Sequence, residues 1–281
     1  MKAAYTLVDV FTDRPLAGNA LAVFPDGHDI PEELYPAIAR ELNLSETVFV
    51  ISIEPDRYES RIFTPGSELP FAGHPTLGTA WVLHHLGRIE GPRAVQRTAA
   101  GDTPVSLAFD TVWFERTGTV GTDIDDVSFI APALGLAESD VGFNAGLLGF
   151  ERRWLAPAFA NAGVDQLMVP VADRETLTRM KPRPEVVDLS GDGVYCFTAI
   201  APTKLKARFF AAGIGIAEDP ATGSAAANVG LYLADRLGDF SFDIKQGKET
   251  GRPSTLNVDT SRGRVRVGGQ VVMTGEGALL L

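Results

Sequence analysis

ELPFAGHPTLGTAWVL, residues 68–83, and EDPATGSAAANVGLYL, residues 218–233, lie 150 positions apart and share one layout. They match at Glu68/Glu218, Pro70/Pro220, Gly73/Gly223 and Leu83/Leu233. In each, a short loop carrying Glu, Pro and Gly runs through small residues into an apolar stretch with helical spacing. Such a loop opens a helix whose first N–H groups lack intrahelical acceptors and point outward, which favours an anion. A glycine at that point lets the backbone approach a ligand closely. If both copies face one cleft, they form a two-sided cradle for a small acid.

Outward from these loops the chain reads as strands paired with single long helices in each half. Strands are expected at Thr6–Phe11, Leu21–Phe24, Val48–Ile53 and Glu59–Phe63. An amphipathic helix is expected over Pro31–Leu42, capped by Asp29. The helix after Gly73 should close at Gly87 and the one after Gly223 at Gly238. Val105–Phe109 and Val112–Glu115 form a further strand pair. The aperiodic stretch Gly118–Asp126, rich in Gly, Thr and Asp, marks a domain boundary.

The second half repeats the rhythm, with strands at Leu167–Val171 and Gly193–Ile200 and a capped helix at Asp173–Met180. Leu205, Ala207 and Phe209 alternate with Lys204, Lys206 and Arg208, as in a half-buried strand. Gly268-Gly269 reads as a two-residue hairpin turn between Arg264–Val267 and Gln270–Met273. The pattern predicts an α+β pseudo-repeat, with a lobe over 1–117 completed by about 265–281 and a second over 118–264.

The 281 residues, 45% apolar and 22% charged, describe a globular chain. With 25 basic against 36 acidic residues the net charge is −11, and no Lys/Arg cluster offers a nucleic-acid surface. No apolar run approaches membrane-spanning length, and MKAAYTLVDVFTDRP reads as a strand and turn rather than a secretory leader. A cytoplasmic enzyme with no membrane or nucleic-acid partner is expected. The lone cysteine, Cys196 in GVYCFTAI, excludes an intrachain disulfide and a two-thiol racemase, and its apolar run predicts a core thiol.

His74 follows Gly73 at the mouth of the first helix, placed for a polar contact to substrate or for carrying a proton near neutrality. Glu46, in NLSETVFV, stands at the lip of a strand, where partial desolvation suits a carboxylate that moves protons. Asp219 and Ser224 flank the second loop's glycine and can cap the helix or bind polar ligand groups. Adjacent His84-His85 point about 100° apart on a helix and cannot chelate one ion. Gly213-Ile214-Gly215 lacks the third glycine of a dinucleotide site. Neither a metal nor a cofactor is expected.

These residues sit in motifs that resemble the PhzF family of phenazine biosynthesis-like isomerases: VDVFTDRPLAGNALAVF, LNLSETVFV, RIFTPGSELPFAGHPTLGTA, EDPATGSAAA and QGKETGRPS, in the family's order. The resemblance implies two pseudo-symmetric lobes of the diaminopimelate epimerase type, each a curved sheet around a central helix, with the active site between them. It puts the catalytic glutamate at Glu46, its His–Asp partners at His74 and Asp219, and ligand contacts at Asn19, Ser45, Gly73, Gly223 and Ser224. Related thiol epimerases carry cysteines in the two loops, whereas this chain has Ala72 and Pro220-Ala221 there. Ala20 stands where many members have Pro. The implied activity is a cofactor-independent isomerisation of a small carboxylic acid by one glutamate, trans-2,3-dihydro-3-hydroxyanthranilate being one such substrate, in a homodimer. An epimerase, a lyase and a non-catalytic binding protein remain open at this point.

Overall fold

The computed structural model describes residues 1–190 and 192–281 and divides into two compact units, Met1–Arg116 with Arg266–Leu281, and Thr117–Val265. The first contains strands β1 (Lys2–Val10), β2 (Asn19–Phe24), β3 (Glu46–Glu54), β4 (Arg57–Phe63), β5 (Glu68–Leu69), β6 (Arg93–Thr98), β7 (Gly101–Ala108) and β8 (Thr111–Thr117), with helices α1 (Tyr35–Leu42) and α2 (Gly73–His85). The second contains β9 (Thr119–Val120), α3 (Ile130–Ala133), β10 (Phe143–Asn144), β11 (Trp154–Leu155), β12 (Ala158–Asn161), β13 (Asp165–Pro170), α4 (Arg174–Arg179), β14 (Val194–Ala201), β15 (Lys204–Ala211), β16 (Ile216–Asp219), α5 (Gly223–Leu237), β17 (Ser241–Gln246) and β18 (Ser254–Ser261). A final strand, β19 (Arg264–Leu280), runs almost wholly in the first unit.

The first unit's strands pair in an unbroken series. β1 lies antiparallel to β2, β2 parallel to β3, β3 antiparallel to β4, β4 parallel to β6, and β6, β7 and β8 follow antiparallel. β19 pairs with both β1 and β8, so the series returns on itself. α2 packs against β1, β2, β3, β6 and β7, and its residues from Gly73 to Ala80 are all buried. That explains its composition, since a helix enclosed by strands is apolar or small on every side rather than on one stripe. Gly78 lets it approach the strands closely: a Cβ there would sit 2.5 Å from Leu21 Cδ2 and 3.0 Å from Val10 Cγ2.

The second unit uses the same senses of pairing. β12 is antiparallel to β13, β13 parallel to β14, β14 antiparallel to β15, β15 parallel to β17, and β17 antiparallel to β18. Its long helix α5 packs on β9, β12, β13 and β18. A separate apolar cluster, including Ile130, Leu134, Leu177, Val194 and Cys196, fills the space between α3, α4 and this sheet. Cys196 is buried there as a free thiol, its pKa pushed up by burial.

Three local expectations need correction. Asp29 does not cap α1; it closes a 3-10 turn at Gly27–Asp29, and the helix starts at Tyr35 behind a second such turn. Pro36 explains the late start, because proline is accommodated only in the first turn of a helix. Gly268-Gly269 is not a hairpin: β19 passes straight through it. The glycines leave room for rings, since a Cβ on Gly268 would sit 2.5 Å from the Trp113 indole and one on Gly269 would collide with Phe11. The third concerns β15, which is not half-exposed. Lys206 and Arg208 are only 5% and 7% exposed, Lys206 paired with Glu249 and Arg208 with Glu218.

Candidate active site

In the first unit, the end of α1 and the start of β3 bring Glu46 into position. Asn43 adopts the left-handed conformation, with φ 49°, and ends α1 by donating its N–H to Ala39 O. Three residues later the chain enters β3, whose first residue is Glu46, paired in parallel register with Leu21 of β2. Glu46 is therefore a strand residue rather than a loop residue, and only 6% exposed, while Ser45 beside it is half-buried. Asn19, the first residue of β2, is fully enclosed. The segment leading to it is tied back by the Leu16 N–H, which donates to the buried Asp9 carboxylate at 2.7 Å.

These elements converge on His74, the second residue of α2. Its Nδ1 lies 3.4 Å from Glu46 Oε2 and 3.3 Å from Asn19 Nδ2. The imidazole is 2% exposed, and burial lowers its pKa to about 3, outweighing a backbone hydrogen bond with Ala20 that favours the charged form. His74 is thus a neutral ring at physiological pH. Of the two sequence expectations for His74, the lowered pKa favours the polar contact over the proton carrier near neutrality. Its Nε2 is buried with no hydrogen-bond partner among the described residues. An unpaired buried polar atom costs about 1–3 kcal/mol, and a polar ligand group placed on it would relieve that cost. Pro75 supplies no N–H, so the donors at this helix start are the leading amides of Gly73 and His74.

In the second unit, β16 delivers Asp219 and the turn Pro220–Thr222 leads into α5. Asp219 is 4% exposed, and its Oδ2 accepts from Thr222 Oγ1 at 2.6 Å. Thr222 is the N-cap of α5 but makes no side-chain capping bond. The free leading amides here are those of Gly223, Ser224 and Ala225. Ser224 Oγ accepts from Gln166 Nε2 at 3.3 Å, and the Gln166 amide is fixed in turn by Asn228 Nδ2 on its oxygen at 2.9 Å. Because Nε2 can only donate, the serine's own proton is left for another acceptor.

Two residues of this neighbourhood carry no role in the sequence reading. Gln246 closes β17 and binds the Asp219–Thr222 turn through both ends of its amide. Arg208 of β15 holds Glu218 in a two-pronged pair, Nε to Oε1 at 2.9 Å and Nη2 to Oε2 at 2.8 Å. The available signal is weak: Gln246 lies at the head of QGKETGRPS, and Gln96 stands 150 positions before it. Among the described residues no cluster of three or more His, Cys, Asp or Glu could hold a metal ion, and no helix is long and apolar enough to cross a membrane.

Comparison with known proteins places this arrangement. The family model for phenazine biosynthesis-like proteins, PhzC-PhzF, matches residues 8–278. An uncharacterized isomerase of Pasteurella multocida is 34% identical, over 99% of this chain and 94% of its own length. The trans-2,3-dihydro-3-hydroxyanthranilate isomerase of Pseudomonas fluorescens is 32% identical, over 99% of each chain. In fold, the chain matches the crystal structure of a Bacillus anthracis phenazine biosynthesis protein of the PhzF family, with a TM-score of 0.84 over 100% of both chains at 24% identity. The chain belongs to the PhzC-PhzF family of phenazine biosynthesis-like proteins and is an isomerase of that family.

Proposed function

We propose that this isomerase moves a proton within a small, conjugated carboxylic acid, with Glu46 as the single shuttle and no cofactor. The observation that carries the reading is the buried Glu46 carboxylate set against a neutral imidazole whose Nε2 is unpartnered. Glu46 would take a proton from an activated carbon, breaking its C–H bond. The electron pair would enter the conjugated system and shift the double bonds. The same carboxyl group would then return the proton to a second carbon, so the substrate neither gains nor loses atoms.

A general base of this kind must sit within hydrogen-bonding reach of the proton it removes. The buried position of Glu46 supports that, because bulk water is kept away from the proton in transit. His74 contributes polarity without charge, orienting the substrate's amino or hydroxyl group. Asp219 is assigned the same task from the second unit. The leading amides at Gly73 and Gly223, with the Ser224 hydroxyl, are assigned to the substrate carboxylate. Asn19 and Ser45 border the Glu46 side.

The test is isotope exchange. The compound named for the Pseudomonas relative, trans-2,3-dihydro-3-hydroxyanthranilate, is incubated with the protein in D2O and followed by NMR. Double-bond migration with deuterium at one carbon supports the shuttle. Product formed at full rate by Glu46→Gln would remove Glu46 from the role. Binding without exchange, for this acid and a panel of related unsaturated hydroxy and amino acids, would leave the chain a binder and defeat the proposal.

A further inference from the structure

We propose that Gln246 is a positioning residue for Asp219, acting through the Thr222 hydroxyl; the inference rests on the catalytic assignment of Asp219 above. Gln246 is 2% exposed, and all four hydrogen-bonding positions of its amide are occupied. Nε2 donates to Asp219 O at 2.9 Å and to Thr222 Oγ1 at 3.1 Å. Oε1 accepts from Tyr195 Oη at 3.1 Å and from the Thr222 N–H at 3.4 Å. This set fixes which end of the amide is which. Asp219 O can only accept and the Thr222 N–H can only donate, so a flipped amide would oppose like groups at both.

The orientation has a chemical consequence. A hydroxyl carries one proton. Thr222 Oγ1 already accepts from Gln246, so its proton is delivered to Asp219 Oδ2, 2.6 Å away. Gln246 therefore holds the turn by its backbone and at the same time makes Thr222 a donor to one chosen carboxylate oxygen. That bond holds Asp219 Oδ2, leaving Oδ1 as the oxygen outside the bond to Thr222. Tyr195, itself wholly buried, braces the opposite end of the same amide.

The test compares Gln246→Met and Thr222→Val with the control Tyr195→Phe, which removes a hydrogen bond from the same amide but leaves the relay to Asp219. In the exchange assay described above, kcat/KM is expected to fall about tenfold or more in the first two variants and to stay within about threefold in Tyr195→Phe. Thr222→Ser, which keeps the hydroxyl, should recover most of the loss. The decisive arm repeats Gln246→Met and Thr222→Val in an Asp219→Asn background, where a residue that acts only through the carboxylate has nothing further to lose. A further drop there, or a Thr222→Val enzyme with wild-type kcat/KM, overturns the proposal.

Crystal structures of Thr222→Val and Tyr195→Phe give a readout independent of turnover. The Asp219 carboxylate should rotate or split into two conformers in Thr222→Val and stay fixed in Tyr195→Phe. An unmoved Asp219 in Thr222→Val overturns the proposal. If the wild-type protein exchanges no acid at all, the catalytic reading fails, while the crystal structures still decide whether Gln246 and Thr222 position Asp219.

Discussion

The loop–helix segments at Glu68–Leu83 and Glu218–Leu233 use the same framework, each within its own unit, and differ in how completely their polar groups are satisfied. In both, an arginine on the strand paired with the glutamate's strand grips the loop glutamate with two parallel hydrogen bonds, Arg61 to Glu68 at 2.7 Å each and Arg208 to Glu218 at 2.9 and 2.8 Å. Each guanidinium also lies over a phenylalanine two residues further along its strand, Phe63 at 5.3 Å and Phe210 at 4.9 Å. A glutamine stands at matching positions on the strand after each helix, Gln96 in β6 and Gln246 in β17.

The satisfaction differs sharply. Gln246 uses its whole amide on the second turn and Tyr195, whereas Gln96 reaches across to Ser60 at 2.8 Å and leaves its Oε1 buried without a partner among the described residues. In the first segment His74 Nε2 is unpartnered too. The second segment spends its polar groups on holding still, and the first keeps a buried ring nitrogen open. Rigid, satisfied networks serve to orient, while unsatisfied buried groups are where a polar ligand gains most. The proposed roles follow this contrast, with orientation on the Asp219 side and chemistry on the Glu46–His74 side.

The largest effect should come from Arg208, with Arg61 as its counterpart. Arg208 and Glu218 are 8% and 19% exposed, and Arg208 also donates to Leu177 O and Met180 O of the α4 region. Removing it strands a half-buried carboxylate and two carbonyls, so Arg208→Met should destabilise by about 3 kcal/mol in urea unfolding. Arg61 and Glu68 are 31% and 39% exposed, with Glu32 as a further exposed partner, so Arg61→Met should cost about 0–1 kcal/mol. Equal losses at the two sites would break the comparison.

Next in size is the loss of chemistry at Glu46. Glu46→Gln should lower kcat/KM by at least about 100-fold, roughly 2.7 kcal/mol of barrier, with the urea midpoint nearly unchanged. A large drop in stability instead would make Glu46 a structural group of the first unit.

How far the sequence foretold this depends on whether a feature is local. Chain reversals carried by one residue were readable: Gly87 after α2, Gly238 after α5, and Asp173, whose side chain accepts from the Thr176 N–H at the start of α4. The starts of α2 and α5 were readable because Gly73 and Gly223 each announce a helix N-terminus. Features made by packing were not. Lys206 and Arg208 have the sequence pattern of solvent-facing strand residues, and only α4 and the Glu218 and Glu249 carboxylates laid over them show otherwise. Gly268-Gly269 has the composition of a turn, and only the rings of Trp113 and Phe11 explain it as a crowded strand. Gln246 offered no periodicity or charge to mark it, since its importance lies in four partners drawn from β14, β16 and the turn before α5.

The smallest expected effect, and the one that most directly probes the unsatisfied side of the comparison, is the pH dependence of stability due to His74. Its pKa is lowered from the ordinary 6.5 to about 3 by burial. Between those values the unfolded chain binds a proton that the folded chain refuses. Stability from this residue is therefore fully present above about pH 6.5 and falls as pH drops toward about 3. Inside that window the slope from one such group approaches about 1.4 kcal/mol per pH unit. Carboxylates titrate over part of the same range, so the informative quantity is the difference between wild type and His74→Asn, which keeps a polar group near Asn19 but cannot titrate. From about pH 6 to 4.5 the wild type should lose stability more steeply than the variant by nearly that slope. Ser224→Ala, the counterpart position in the second segment, should run parallel to wild type because nothing that titrates has been removed. A His74→Asn curve parallel to wild type would mean that the ring takes up its proton in the folded state near its ordinary pKa. The neutral imidazole on which the Glu46 reading depends would then be lost.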